Sequence, residues 1–241
     1  MTWKLPTSDR IFKACGATWV PASAHRDGPW TIREGAGGGS RVSAATLEDP
    51  DGVAEIARAE AAMAALGQAP LFCVRGGEAA LDAALEAAGY EIAWPVVALV
   101  APVGAVDRPE PMRAIPCSAP LARAREIWAE GGVGPSRLAV MARVDRPKTY
   151  LLGRHKDRPA GAAFVAVDQE IAVMHALEVR PAMRRQGVGA ALTLRAGEWA
   201  RGQGASSLAL LVTRQNSAAR ALYETFGFVE AAQYHYRRRV S

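Results

Sequence analysis

Residues 177–189, LEVRPAMRRQGVG, hold the residue types and spacing with the most chemical content in this chain. A strand-like segment enters a short turn, and the turn feeds a helix that begins near Gly187. A helix start leaves several backbone N–H groups without acceptors, and the aligned peptide dipoles add partial positive charge there. Gly187 and Gly189 present no side chain to an approaching anion, while Arg184 and Arg185 add positive charge at the rim. This arrangement suits capture of a diphosphate on backbone amides. It is not a Walker loop, because G-x-x-x-x-G-K-[ST] does not occur. Nor is it a Rossmann fingerprint, since the third glycine and the acidic residue after the next strand are missing.

The surrounding pattern predicts the elements that position this turn. Residues 121–130 have helical spacing, ended by the glycines between 131 and 134. Residues 149–153, 162–167 and 171–179 read as strands, the last two joined by a tight turn at Asp168-Gln169-Glu170. Residues 187–201 form a helix, and 208–213 a nearly continuous apolar strand of the kind buried at the centre of a sheet. A second helix over 216–226 is capped by Asn216 and stopped by Gly227, and 229–239 end as a strand. Strand, strand, strand, helix, strand, helix, strand predicts an α/β (α+β) fold with a mixed sheet flanked by helices.

R-x-x-G-x-G after L-x-V-x-P resembles the acyl-CoA-binding motif of the GNAT N-acyltransferase superfamily. The second part of that signature follows at the expected separation as Asn216-x-x-Ala219-x-x-Leu222-Tyr223-x-x-x-Gly227-Phe228. The resemblance covers about residues 112–239. It implies acetyl-CoA as co-substrate, with its pyrophosphate on the backbone of Arg184, Arg185, Gln186, Gly187, Val188 and Gly189. It also implies that the pantetheine arm pairs with main-chain groups of Leu177 and Val179, and that Asn216 and Tyr223 lie near pantetheine and thioester. No metal is implied.

Acyl transfer to an amine needs a base to take a proton and can use an acid to reprotonate the departing thiolate. Tyr223 is the candidate acid, seven residues from Asn216 and so on the same helix face. For the base, strand alternation puts His175, Leu177 and Val179 on one face, and the imidazole pKa of about 6.5 suits work near neutrality. The string HALEV also resembles the corresponding strand of arylalkylamine N-acetyltransferases, which carry a histidine there. Glu178 is the competing base, on the opposite face under ideal alternation unless a bulge intervenes. The oxyanion of the tetrahedral intermediate falls to a strand N–H, most simply that of Val179.

The first half repeats the last part of the second. LFCVRGGEAALDAALEAAGY, from Leu71, aligns with ALLVTRQNSAARALYETFGF, from Ala209, and Val74 to Gly89 spans the same fifteen positions as Val212 to Gly227. The functional positions differ: Glu78 stands for Asn216 and Leu85 for Tyr223. The copy has no R-x-x-G-x-G, and Glu48, Asp49 and Asp51 before its earlier helix (51–66) would repel a diphosphate. Residues 28–42 resemble the opening hairpin of two-domain GNAT proteins whose first domain no longer binds CoA, with residues 35–40 as a hairpin loop. The expected organisation is a tandem GNAT fold: a degenerate domain over 1–105, a catalytic domain over 106–241, and a proline-rich linker around 101–120. The copy would cover the sheet edge and part of the acceptor cleft, which favours a monomer over a homodimer.

The 241 residues are half hydrophobic, enough for a packed core, and the +5 net charge divides into −5 over 1–110 and +10 over 111–241. A basic half suits a small polyanion. No basic helix face with interleaved aromatics or nucleic-acid module occurs, so nucleic acid is not an expected partner. No apolar run reaches the roughly 18–20 residues needed to cross a bilayer, and MTWKLPTSDR has no secretion-signal pattern, so a soluble cytoplasmic chain is expected. Cys15, Cys73 and Cys117 are too scattered for a metal set or disulfide framework. These observations predict an N-acetyltransferase acting on a primary amine of a small molecule. A peptide or protein acceptor, and a non-catalytic acyl-CoA-binding regulator, are the alternatives. The acceptor pocket is expected from residues 131–146 and parts of the first half.

Overall fold

Long apolar strands from both halves pair with one another and so decide this architecture. The computed structural model describes residues 3–49, 55–104 and 113–239. The expected boundary between 105 and 106, and Asp51, lie outside them. The first half supplies α1 (Ser8–Ala17), β1 (Ser23–Asp27), β2 (Trp30–Glu34), α2 (Ser40–Ser43), β3 (Thr46–Leu47), α3 (Ile56–Ala65), β4 (Leu71–Arg75), α4 (Ala79–Ala87) and β5 (Glu91–Pro102). The second supplies β6 (Ala114–Cys117), α5 (Ala122–Glu130), α6 (Pro135–Arg143), β7 (Lys148–His155), β8 (Arg158–Asp168) and β9 (Ile171–Val179). A 3-10 turn (Pro181–Met183) then precedes α7 (Val188–Gly202), β10 (Ser207–Thr213), α8 (Ser217–Glu224) and β11 (Val229–Arg238).

Strands β1, β2 and β3 make a small sheet, and the others form one eight-stranded sheet ordered β4-β11-β5-β10-β9-β8-β7-β6. The fold is thus the expected α+β tandem arrangement, but the halves are interleaved. β5, the last strand of the first half, lies between β10 and β11 of the second, and β11 lies between β4 and β5 of the first. The registers repeat with the offset seen in the sequence. Val212 pairs with Val97 and Val74 with His235, and both 212 − 74 and 235 − 97 equal 138. Within the β5–β11 ladder, Val229–Val100 and Glu91–Arg238 are related by the same offset. The chain therefore has an approximate two-fold relation about the β5–β11 pair. β3 is the counterpart of β9, and Ala45, just before it, makes a single parallel bridge to Phe72 of β4.

Helices α7 and α8 cover one face of the large sheet, burying Val188, Leu192, Ala196 and Tyr223 against β8, β9 and β10. The other face is shared: α5 and α6 pack over β7 and β8, while α1 packs over β9, β10 and β5. Sequence periodicity alone does not reveal α1, whose helix is capped by the Thr7 side chain and buries Ile11, Ala14 and Cys15. The first hairpin's turn also differs from the expected loop at residues 35–40. Gly28, with φ 57°, makes that turn between β1 and β2, whereas residues 35–39 lead from β2 into α2. Gly38 packs there against α6, where a Cβ would come within 2.5 Å of Val140 Cγ2, so close approach explains the glycine.

The exchange makes each half dependent on the other. Val97, Leu99 and Val100 of β5 are buried in the shared core, each stabilising it by about 1.5–3 kcal/mol. Their sum rivals the roughly 5–15 kcal/mol net stability of a whole domain. Residues 113–241 expressed alone should therefore show no cooperative melt by circular dichroism, and co-expression with 1–104 should restore one. A separately produced C-terminal half melting like the full chain would contradict the interdependence.

Candidate active site

The site begins where two parallel strands part. β9 and β10 pair from Ile171–Ser207 to Met174–Leu210 and then separate, although β9 runs on to Val179 and β10 to Thr213. A bulge accompanies the separation. Phe164 pairs with His175 and Ala162 with Glu178, so Ala176 and Leu177 together oppose Ala163. Ala176 takes the extra residue's left-handed conformation, φ 48°, and its carbonyl accepts the Trp128 indole N–H at 2.8 Å. Arg180 N–H donates to Ala160 at 2.9 Å, so alternation turns the amide and carbonyl of Val179 away from β8 and into the opening.

Beyond β9 the chain builds an anion cradle. Arg185 and Gly187 both adopt φ > 0, 60° and 76°, and α7 starts at Val188 with no side-chain cap. Among the described residues, the amides of Arg185, Gln186, Gly187, Val188, Gly189 and Ala190 donate to no protein acceptor. Six successive free N–H groups at a helix start form a concave site for an anion. A Cβ at Gly189 would meet Leu222 Cδ2 of α8 at 3.2 Å, so glycine also lets α8 pack beside the cradle. Arg184 and Arg185 are exposed at the rim, with Arg184 Nε donating to the Val179 carbonyl at 3.3 Å. Arg113, which sequence reasoning missed, donates from Nη2 to the Gln186 carbonyl at 2.8 Å.

His175 is not where strand alternation put it. The bulge turns Leu177 and Val179 towards α7 with Met174, while His175 sits on the opposite face beside Trp19 and Phe164. It is buried, its Nδ1 lies 2.9 Å from Arg41 Nη1, and its Nε2 lies 2.9 Å from Thr18 Oγ1. A guanidinium only donates, so Nδ1 is an acceptor and the proton is on Nε2. The Thr18 hydroxyl donates onward to the Ala14 carbonyl at 2.7 Å. Burial first, and the Arg41 charge second, hold the imidazole pKa well below its usual value. Both ring nitrogens are engaged, which corrects the expectation of a base sharing a face with Leu177 and Val179.

Glu178 has the more open position. It is half-buried and lines a cavity of about 410 Å³ together with Ala176, Arg41, Arg137, Trp19 and Trp94. Burial raises its carboxyl pKa, against the lowering effect of Arg184 and Arg137. It packs on Gly131, the residue ending α5, where a Cβ would come within 2.7 Å of the carboxyl carbon. Val133 and Arg137 from the second half and residues 38–41 from the first complete the wall. The sequence signalled these two regions but not Arg41, Arg137 or Trp19 individually.

Tyr223 is buried on α8 against Phe228, in the apolar cluster that Leu177 and Val179 also touch. Burial pushes its phenol up to about 12, and its hydroxyl has no hydrogen-bond partner among the described residues. Asn216 caps α8, its Oδ1 accepting from the Ala219 amide at 3.1 Å, which leaves the amide N–H₂ to donate. At the counterpart positions, Leu85 is core and Glu78 accepts from the Arg75 amide at 2.7 Å. Among the described residues no cluster of metal-ligating side chains occurs, and no helix is long and apolar enough to cross a membrane.

Comparison with known proteins agrees with this fold. A family model described as "Acetyltransferase (GNAT) family" matches residues 120–228. An aminoglycoside N(6')-acetyltransferase type 1 of Klebsiella aerogenes is 31% identical over 121 residues, 45% of this chain and 80% of that protein. A GCN5-related N-acetyltransferase from Kribbella flavida superposes over 99% of this chain and 97% of its own, with TM-score 0.74 and 20% identity. A tandem GNAT protein from the clavulanic acid biosynthesis pathway superposes over 91% and 84%, with TM-score 0.62 and 13% identity.

The neutral, locked imidazole has a measurable consequence. His175 stays unprotonated in the folded chain at pH values where an unfolded histidine, of pKa about 6.5, takes a proton. Its contribution to stability is therefore complete above that value and declines as the pH falls below it, by up to about 1.4 kcal/mol per pH unit. Urea melts between about pH 5 and 7 should show this slope and its reduction in His175→Gln. A His175 proton resonance titrating near 6.5 would contradict the assignment.

Proposed function

This chain belongs to the GNAT family of acetyltransferases, and on that premise we propose that it moves the acetyl group of acetyl-CoA to a primary amine of a small molecule. The observation that carries the reading is the run of six free amides from Arg185 to Ala190, at the end of a strand that has parted from its neighbour. A diphosphate fits that run, and the opening beside Val179 has the length and the unpaired main chain to take an extended pantetheine arm. Asn216 adds a side-chain donor near the same opening.

The chemistry is direct attack. The neutral amine adds to the thioester carbonyl, the oxyanion takes a hydrogen bond from the Val179 N–H, and Glu178 accepts the proton lost by nitrogen. The tetrahedral intermediate then expels the thiolate, breaking the C–S bond, and Tyr223 supplies the proton that makes CoA. Burial keeps the phenol protonated in the resting enzyme, so it has a proton to give as the C–S bond breaks. Glu178 is preferred to His175 as base because it faces the cavity, whereas both nitrogens of His175 are bonded within the protein. His175 instead positions Arg41.

A cavity of about 410 Å³ walled by both halves has room for a small acceptor. A relative that is an aminoglycoside acetyltransferase supports the same class.

Glu178→Gln should lower kcat by about 100-fold or more, with the acetyl-CoA Kd unchanged in calorimetry. The wild-type kcat/KM should fall with acid through a carboxyl pKa above the usual glutamate value, and this limb should vanish in the variant. Gly131→Ala provides an independent check. Its φ of −86° accepts alanine, so the expected fall in kcat comes only from displacing Glu178. Tyr223→Phe should lower kcat without weakening acetyl-CoA binding. Wild-type rates in Glu178→Gln and Gly131→Ala would remove Glu178 from the chemistry, and no acetyl-CoA heat with wild type would remove the enzyme reading.

A further inference from the structure

Resting on the reading of the 410 Å³ cavity as the acceptor pocket, we propose that the acceptor amine also carries an anionic group, a carboxylate or a phosphate, bound by Arg41 and Arg137. Arg41, Arg137 and Glu178 are the charged residues among the described ones lining that cavity. Glu178 has to remain able to take a proton from the amine, so it is not the permanent counter-charge of either arginine.

Several other arginines of the chain have protein partners. Arg75 pairs with Glu48 at 3.0 Å, Arg180 with Glu130 at 2.8 Å, and Arg10 with Asp168 at 2.9 Å. Arg33 donates to the Ala44 carbonyl and to Thr46. Arg41 and Arg137 have no carboxylate within ion-pair distance among the described residues. Arg137 is exposed at the cavity's edge on α6. Arg41 is half-buried, and a guanidinium keeps its charge at every accessible pH, so water has been removed from a cation that the protein does not neutralise.

Arg41 is also held in place. His175 Nδ1 fixes its Nη1, and the guanidinium carbon lies 4.7 Å from the centre of the Trp19 ring. His175 is itself fixed by Thr18 and by ring contacts with Trp19 and Phe164. A buried histidine and a buried tryptophan thus orient one guanidinium while leaving its other nitrogens for a ligand. That is preorganisation for a planar or tetrahedral oxyanion, which an arginine recognises in a fork. The same charges disfavour a polycationic acceptor, so this pocket differs in sign from one built for an aminosugar with several ammonium groups.

The test is thiol release from acetyl-CoA by the full chain with matched amines: an α-amino acid and its methyl ester, phosphoethanolamine and ethanolamine, and a polycationic aminosugar. The anionic member of one pair should exceed its uncharged mate in kcat/KM by about tenfold to a hundredfold, the value of a charged hydrogen bond. The ester's amine is the less basic one, so this preference runs against intrinsic availability. Which pair shows it separates carboxylate from phosphate. In Arg41→Gln and in Arg137→Gln the ratio should collapse towards one. Arg137 is exposed, so folding is not at stake in that variant.

Release no faster with the anionic member of either pair than with its uncharged mate, or fastest with the aminosugar, would overturn the proposal and leave acetyl transfer standing. So would a wild-type ratio retained in both variants. No release with any amine, despite bound acetyl-CoA, would remove the acetyl-transfer reading and this proposal with it.

Discussion

Two parallel strands cease to pair after Met174 and Leu210, and the candidate site is arranged around that gap. The bulge at Ala176 is its local expression. One left-handed residue changes which side chains face α7 and which face the cavity, so Leu177 and Val179 line one side and Glu178 the other. Strand β9 then ends in the turn whose six amides have no protein acceptor. A straight β9 fully paired to β10 would close the opening.

The gap stays open because β10 is held from its other side. There β5 pairs with β10 from Ser207 to Thr213, past the point where β9 has left. That supporting strand belongs to the first half, and the second half returns β11 to the first. The degenerate copy therefore keeps the sheet continuous even though its own counterpart of the site is filled by Leu85. It also supplies Trp19, Arg41 and Trp94 to the cavity wall.

Much of this was legible in the sequence, because local patterns carry local structure. The bounds of β9, the Asn216 cap, the glycine start of α7 and the central position of β10 follow from apolar period, capping chemistry and conformational freedom. The 138-residue offset was also readable, and the strand registers repeat it. The bulge was not readable, because an alanine at φ 48° has no sequence signature, and ideal alternation then put His175 on the wrong face. The exchange was hidden for another reason: which strand a buried apolar segment pairs with is a non-local choice. Residues 35–39 showed that glycines mark close approach as readily as a hairpin turn. Arg41 had no signal at all, since its meaning comes from His175, 134 residues away.

The central claim is that the amides from Arg185 to Ala190 hold the diphosphate of acetyl-CoA. Amide hydrogen exchange on the folded chain, with and without acetyl-CoA, addresses it most directly. Slowed exchange concentrated in residues 185–190, with a smaller effect at Val179, is the expected result. Unchanged exchange in that segment at saturating acetyl-CoA, or protection confined to some other region, would contradict the account.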